Sequence, residues 1–307
     1  MKKKDDSNSV SYAKWGYIFI VPFFIVYFIF TLYPQILTFY NSFFENYMDG
    51  LSHVGPNFVG FDNYIKLFSP DATGSITIIK YFGNTMILWI LGAIPQFLIA
   101  LLLALLFTST RLNIKFQGFF KAVIYLPNLI MAAAFAMLIF GLFGNTGPIN
   151  KIMVDSFGLT PFDFLAQKIS VRGLIALMNF LMWFGNTTIL LMAGIQSIDE
   201  ALFESARIDG ASSTHVFFDI TIPLLKPIMV YVAITSMIGG MQMYDVPQVL
   251  TNGYGMPDNT STTMVMLLNK YLNPSRNYGM AGTISVVLFI ITAILSLIVF
   301  RVNSRKD

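Results

Sequence analysis

Apolar residues in this chain come in long unbroken runs rather than in alternation. Stretches free of Asp, Glu, Lys and Arg cover residues 15–44, 81–110, 122–150, 173–198, 227–244 and 277–300. A bilayer core of about 30 Å is crossed by roughly 20 helical residues. Trimmed by hydropathy, the stretches predict spans near 16–37, 84–107, 122–143, 173–194, 224–244 and 281–301. Lipid offers no hydrogen bonds, so each span must be a helix or part of a closed barrel. Residues 97–107 show no period-two pattern, which selects helix. The expected fold is an all-α membrane protein with six transmembrane helices. The first apolar run follows Lys2, Lys3, Lys4 and Lys14 like a signal peptide. It is too long for one and lacks a small-residue cleavage site, so it reads as a retained span.

Composition agrees with a lipid-facing surface. Charged residues make up 11% of the 307 positions and hydrophobic ones 55%, where a soluble domain carries about 25% charged residues. No cysteine occurs, which excludes disulfides and thiolate metal sites, and the two histidines are His53 and His215. A net charge of +3 without a polybasic run beyond Lys2, Lys3 and Lys4 speaks against nucleic-acid binding.

Basic residues set the expected orientation. With six spans, the side holding both termini carries Lys2, Lys3, Lys4, Lys14, Arg111, Lys115, Lys121, Arg207, Lys226, Arg301, Arg305 and Lys306. The other side carries Lys66, Lys80, Lys151, Lys168, Arg172, Lys270 and Arg276. The excess puts the N and C termini in the cytoplasm, with tails 1–15 and 302–307. The longer loops, about 38–83, 144–172 and 245–280, then lie outside.

No ionisable residue lies deep in any span. Ion-coupled carriers and voltage sensors place such groups there, and charge-ringed channels need them too. No P-loop, dinucleotide fingerprint or nucleophile–base–acid set occurs, so an enzyme reading has no residues to stand on. Any nucleotide energy must come from a partner, and no cofactor is implied. Polar and aromatic residues in or near the spans are Asn84, Gln96, Asn179, Trp183, Asn186, Gln242, Tyr244 and Tyr278. Asn179, Trp183 and Asn186 follow i, i+4, i+7 spacing and share a helix face. Such a face serves either a solute path or helix–helix hydrogen bonding, and the spacing leaves both open. The small residues of 131–136 read as close helix packing. Pro22, Pro34, Pro95 and Pro127 invite kinks.

The segment between spans four and five, 196–223, continues into span five as QSIDEALFESARIDGASSTHVFFDITIPLLKP. It predicts a short helix outside the membrane. Asp199 is a suitable N-cap and Glu200 an acid in the first turn. Leu202, Phe203, Ala206 and Ile208 supply apolar positions, and Gly210 supplies a left-handed stop. Ser212 or Ser213 can cap a second short helix, and Pro223 is expected to restart the chain at the membrane. A helix of this kind fits a partner's groove or a lipid surface. Asp199, Glu200, Glu204, Asp209 and Asp219 against Arg207 argue against an anionic leaflet.

Glu204-Ser205-Ala206, with Gly210 four residues on and Ile222-Pro223 before an apolar run, resembles the EAA signature. That signature belongs to the membrane subunits of binding-protein-dependent ABC importers. Trp183, Gly185, Ala193-Gly194-Ile195-Gln196, Ile198, Ile208-Asp209-Gly210-Ala211 and Pro223-Leu224-Leu225 resemble its sugar branch, the maltose-type permeases. Ser205 stands where an alanine is usual, and is also small. Residues 57–64, Thr251-Asn252-Gly253 and Tyr278-Gly279-Met280-Ala281 are similar to external segments of the same branch. The resemblance covers about residues 15–302. It implies a permease subunit of an ATP-driven sugar or oligosaccharide importer in a prokaryotic cytoplasmic membrane. Its implied partners are a second homologous permease, an ABC ATPase dimer, an extracytoplasmic solute-binding protein and the sugar. The ATPase would be met through Glu204, Ser205, Ala206, Arg207, Asp209, Gly210 and Ala211. The sugar would pass Asn179, Trp183, Asn186, Gln242, Tyr244 and Tyr278. A stand-alone carrier or channel is the alternative, and it leaves the loop motif unexplained.

Overall fold

The computed structural model describes residues 13–71, 74–109, 112, 114–273 and 276–304. The tail up to residue 12, with Lys2, Lys3 and Lys4, lies outside them, as do Arg111, Arg305 and Lys306. Among the described residues, six helical stretches are long and apolar enough to cross a membrane: Lys14–Ser42, Thr77–Thr108, Ala132–Phe157, Lys168–Gln196, Ser213–Leu250 and Tyr278–Val302. The first consists of α1 (Ala13–Tyr27), a π turn (Phe28–Leu32) and α2 (Tyr33–Ser42). The bundle is built on α4 (Thr77–Thr108), α8 (Lys168–Gln196), α11 (Ile222–Met241) and α14 (Tyr278–Ser304). Pro22 and Pro95 sit within α1 and α4 without ending them.

Three features depart from the expectations. The connection 38–83 contains a two-stranded antiparallel sheet, β1 (Phe44–Asp49) and β2 (Ser52–Phe58), with Phe44 opposite Phe58. The fold is therefore helical with one added hairpin. Asn63, in α3 (Asp62–Phe68), donates to the carbonyls of Ser42 and Phe44 at 3.1 and 3.0 Å and fixes the hairpin to α2.

The expected third span, 122–143, is broken. Helix α5 (Gln117–Tyr125) passes into a 3₁₀ turn (Leu126–Leu129), and Ile130 and Met131 are extended before α6 (Ala132–Phe143) begins. Pro127 opens the tight turn, so the proline ends a helix rather than bending it. Asn128 Nδ2 then donates to the Met182 carbonyl on α8 at 3.0 Å. The break lets α5 press on α8 at Gly185, where a Cβ would stand 2.0 Å from the Ile124 carbonyl oxygen. Ala136, within the small-residue stretch, is fully buried.

The third departure is at Pro223. The chain does not restart there. It is helical from α10 (Ser213–His215) through a π segment (Val216–Thr221) into α11. The widened turn lies directly before Pro223, where a regular ladder would drive the ring into the carbonyl four residues back.

The side of the bundle that carries the hairpin, called here the hairpin side, also holds α7 (Pro148–Phe157), α12 (Asp245–Leu250) and α13 (Met264–Leu272). The segment between α12 and α13 is buried by hydrogen bonding. Arg172 donates from Nη2 to Asn84 Oδ1 at 2.7 Å, and from Nη2 and Nε to the Thr260 carbonyl at 2.8 and 3.1 Å. Asn84 donates in turn to the carbonyls of Asn259 and Thr262. Thr263 Oγ1 donates to the Met243 carbonyl at 2.7 Å. Of the four consecutive buried hydroxyl residues, 260–263, Thr260 and Thr263 donate to backbone carbonyls and Thr262 to Asn259 Oδ1, while Ser261 Oγ has no hydrogen-bond partner.

Candidate functional site

Two places gather the residues singled out from the sequence. The first is a cavity of about 170 Å³ lined by α4, α8 and α11. Asn179, Trp183 and Asn186 line it from α8, as their shared face requires. Gln96 joins them from α4 and donates to Thr187 Oγ1 at 2.8 Å. Asn179 Nδ2 lies 3.3 Å from Met243 Sδ. No Asp, Glu, Lys, Arg or His belongs to its described lining.

The remaining path candidates lie elsewhere. Asn84 belongs to the Arg172 network. Gln242 is exposed beyond the end of α11, and Tyr278 opens α14 at 43% exposure. The Tyr244 hydroxyl accepts from Asn269 Nδ2. In their place the cavity gains Trp89, Tyr231, Thr235 and Ser236. Tyr231, Thr235 and Gly239 recur at i, i+4, i+8, so the spacing argument used for α8 would have found them. The apolar surroundings of span five hid the stripe.

Apolar clusters close the cavity along the bundle. On the hairpin side, Leu88, Ile175, Met178, Met243, Val246 and Leu250 pack together. On the opposite side, Ala100, Ala104, Leu191, Met192, Ile195 and Leu225 do so. The cavity is open laterally, where Trp183, Tyr231 and Thr235 are exposed. Polar groups on a membrane-spanning face meet protein or a wet cavity rather than lipid.

The second place is α9 (Glu200–Ile208), opposite the hairpin side. Its caps are complete. Asp199 Oδ1 accepts from the Ala201 N–H at 3.0 Å. At the other end Gly210, at φ +76°, donates to the Arg207 carbonyl, and Ala211 N–H donates to the Ala206 carbonyl at 2.9 Å. These two bonds are a Schellman motif. Nine residues make a helix too short to persist alone, so the caps and the inward Ala206 and Phe203 hold it. Ala206 is buried; Glu204, Ser205, Arg207, Ile208, Asp209 and Gly210 are exposed. Ile208 is 86% exposed and Leu202 44%, so these two apolar positions face away from this chain. Ser212 begins the next helix and accepts from the His215 N–H. A cavity of about 390 Å³ lies beneath α9, lined by Glu200, Phe203, Arg207, Val216 and Phe217.

A broken helical bundle with one added hairpin, a capped helix outside it and an uncharged cavity within it is the architecture of an importer permease. Residues 85–306 match the family described as binding-protein-dependent transport system inner membrane component, and the chain belongs to that family. It is an inner-membrane component of a transport system and not an enzyme. It is 31% identical over 290 residues to the arabinooligosaccharides transport system permease protein AraP of Bacillus subtilis, covering 94% of this chain and 88% of that one. It is 28% identical over 303 residues to the trehalose/maltose transport system permease protein MalF of Thermococcus litoralis, covering 96% of each. Among solved structures, a bacterial ABC transporter involved in import of the acidic polysaccharide alginate superposes with a TM-score of 0.79. It covers 95% of both chains at 22% identity, a likeness of fold.

Proposed function

We propose that this chain is one permease subunit of an ATP-driven, binding-protein-dependent importer of a neutral sugar or oligosaccharide. The cavity carries the reading. It offers amides, hydroxyls and aromatic faces without a fixed charge, which suits a solute rich in hydroxyl groups and apolar C–H faces. An anionic solute would ask for a cation there. The names of the relatives, AraP and MalF among them, point to the same class of solute.

The open side of the cavity, with Trp183, Tyr231 and Thr235, would face the second permease and complete the path. The α9 helix would dock in a cleft of the ATPase through Glu204, Ser205, Ala206, Arg207, Asp209, Gly210 and Ala211. Ile208 supplies an apolar anchor. In this reading the α9 side is cytoplasmic and the hairpin side receives the solute-binding protein. ATP binding shifts the equilibrium between two conformations because the closed ATPase grips α9 better in one of them.

The test is co-purification in mild detergent, wild type beside Gly210→Trp. An ATPase and a second permease should accompany the wild type and be lost from the variant. A wild-type chain that comes out alone, where a known complex survives, would favour a stand-alone carrier. For the path, Asn186→Ala and Trp183→Ala should raise the KM of uptake about tenfold, the loss expected for one or two polar or stacking contacts.

A further inference from the structure

One wall of the cavity is built differently from the rest. Trp89 lies where the cavity meets the apolar cluster of the hairpin side; its neighbour Leu88 is part of that cluster. The indole sits in a slot on α11. A Cβ at Gly240 would stand 2.2 Å from its Cδ1, so only glycine leaves the space. One turn back along α11, Ser236 Oγ accepts from the indole Nε1–H at 3.2 Å. Ser236 and Gly240 are four residues apart and share a face. The slot therefore has a floor and a single polar latch.

We infer that Trp89 is the gate of the cavity on the hairpin side: seated over Gly240 and latched to Ser236, its indole decides when solute is admitted. The inference rests on the cavity being the solute path. The side chain crosses from α4 to α11, so any separation of these helices must break its latch. One hydrogen bond between neutral groups holds it, and the rest of the seat is apolar contact with a glycine. Such a latch is strong enough to bias an equilibrium and weak enough to be reversed in each cycle. The indole also offers an apolar face with a polar edge, the surface a sugar ring meets well.

The experiment uses the absence of cysteine from this chain. A Thr235→Cys thiol in the cavity wall is then the one thiol of this chain, and its labelling is read on this chain's own band after the subunits are separated. The assembled transporter in vesicles is exposed, from the hairpin side, to a membrane-impermeant thiol reagent. With Trp89 present, labelling should be slow. Trp89→Phe keeps the ring and loses the latch, and should label about fivefold faster, the effect of one neutral hydrogen bond on a two-state equilibrium. Trp89→Ala should label faster still, by about tenfold or more. Co-purification of the ATPase confirms that each variant assembles, and the phenylalanine variant retains the core volume if the alanine one does not fold. Equal labelling rates in wild type and Trp89→Phe would overturn the gate. Uptake of a radiolabelled mixture of malto- and arabino-oligosaccharides by Asn186→Ala and Trp183→Ala separates the two readings. If uptake responds to those variants while labelling ignores Trp89, the path stands and the gate falls. If uptake ignores them, the path reading fails, and the gate with it.

Discussion

The first and fourth spans are both 29 residues long, and the first is the more hydrophobic, with mean hydropathy 2.1 against 1.6. Yet none of the apolar window of the first is buried within the chain, and half of the fourth is. In water the more hydrophobic helix would take the centre. In lipid, tails are as apolar as leucine, so hydropathy gives no reason to leave the surface. Close approach and polar pairing decide instead. The fourth span has Gly185 against a facing backbone, Arg172 and Asn179 bonded across helices, and Thr187 paired to Gln96. The first has Phe19, Phe23 and Phe30 pointing outward and Gly16 with nothing within 4 Å.

The largest test of this contrast is a pair of identical substitutions. Gly185→Leu should cost about 3 kcal/mol or more, because the added carbons meet main chain that cannot step aside. Gly16→Leu should stay within about 0.5 kcal/mol. Thermal unfolding of the purified protein in detergent reads both, and equal losses would break the comparison. Next in size is Arg172→Met. It leaves the Thr260 carbonyl and Asn84 Oδ1 without their donor and should cost about 2 kcal/mol. Proteolysis within 251–263 should quicken with it.

A smaller effect is expected at the Gln96–Thr187 bond. A double-mutant cycle of Gln96→Leu and Thr187→Val should return a coupling of about 0.6 kcal/mol, the usual worth of such a bond in a membrane. Smallest of all, Phe19→Leu and Phe23→Leu should leave the unfolding midpoint unchanged within about 0.5 kcal/mol. A clear loss there would mean that the first span is held by this chain after all.

The same contrast explains what could be read in the sequence. Unbroken apolar runs announced the membrane helices because each is a local property. Asp199 and Gly210 announced the ends of α9 because capping is equally local: both bonds of the Schellman turn span only a few residues. Asn179, Trp183 and Asn186 were legible as one face for the same reason. The hairpin was not, since its strands carry His53, Gly55 and Pro56 and draw their order from Asn63 and α2. Nor was the burial of 260–263, whose partners Arg172, Asn84 and Met243 are 20 to 178 positions away. The break at Ile130 shows the limit from the other side: Pro127 was visible, but whether a proline bends or ends a helix depends on what the chain packs against, here α8, whose Met182 carbonyl accepts from Asn128 Nδ2 in the turn.

The helix that starts at the Ser212 cap runs to Met241 without a loop. Mechanically it is one rod with a π joint near its start and a proline, Pro227, within it. Five turns separate the turn after α9 from Tyr231, and Gly240 lies farther along the same axis. A sideways load applied at Ser212 therefore arrives at the cavity as tilt, apart from what is taken up at Pro227 within α11 and at the π segment Val216–Thr221. There the ladder holds one residue more than an α turn needs. Such a joint can shift that extra residue along the helix, so it is where the rod yields most readily. How far α11 swings for a given load then depends on a six-residue π segment two to three turns before Tyr231 at the cavity.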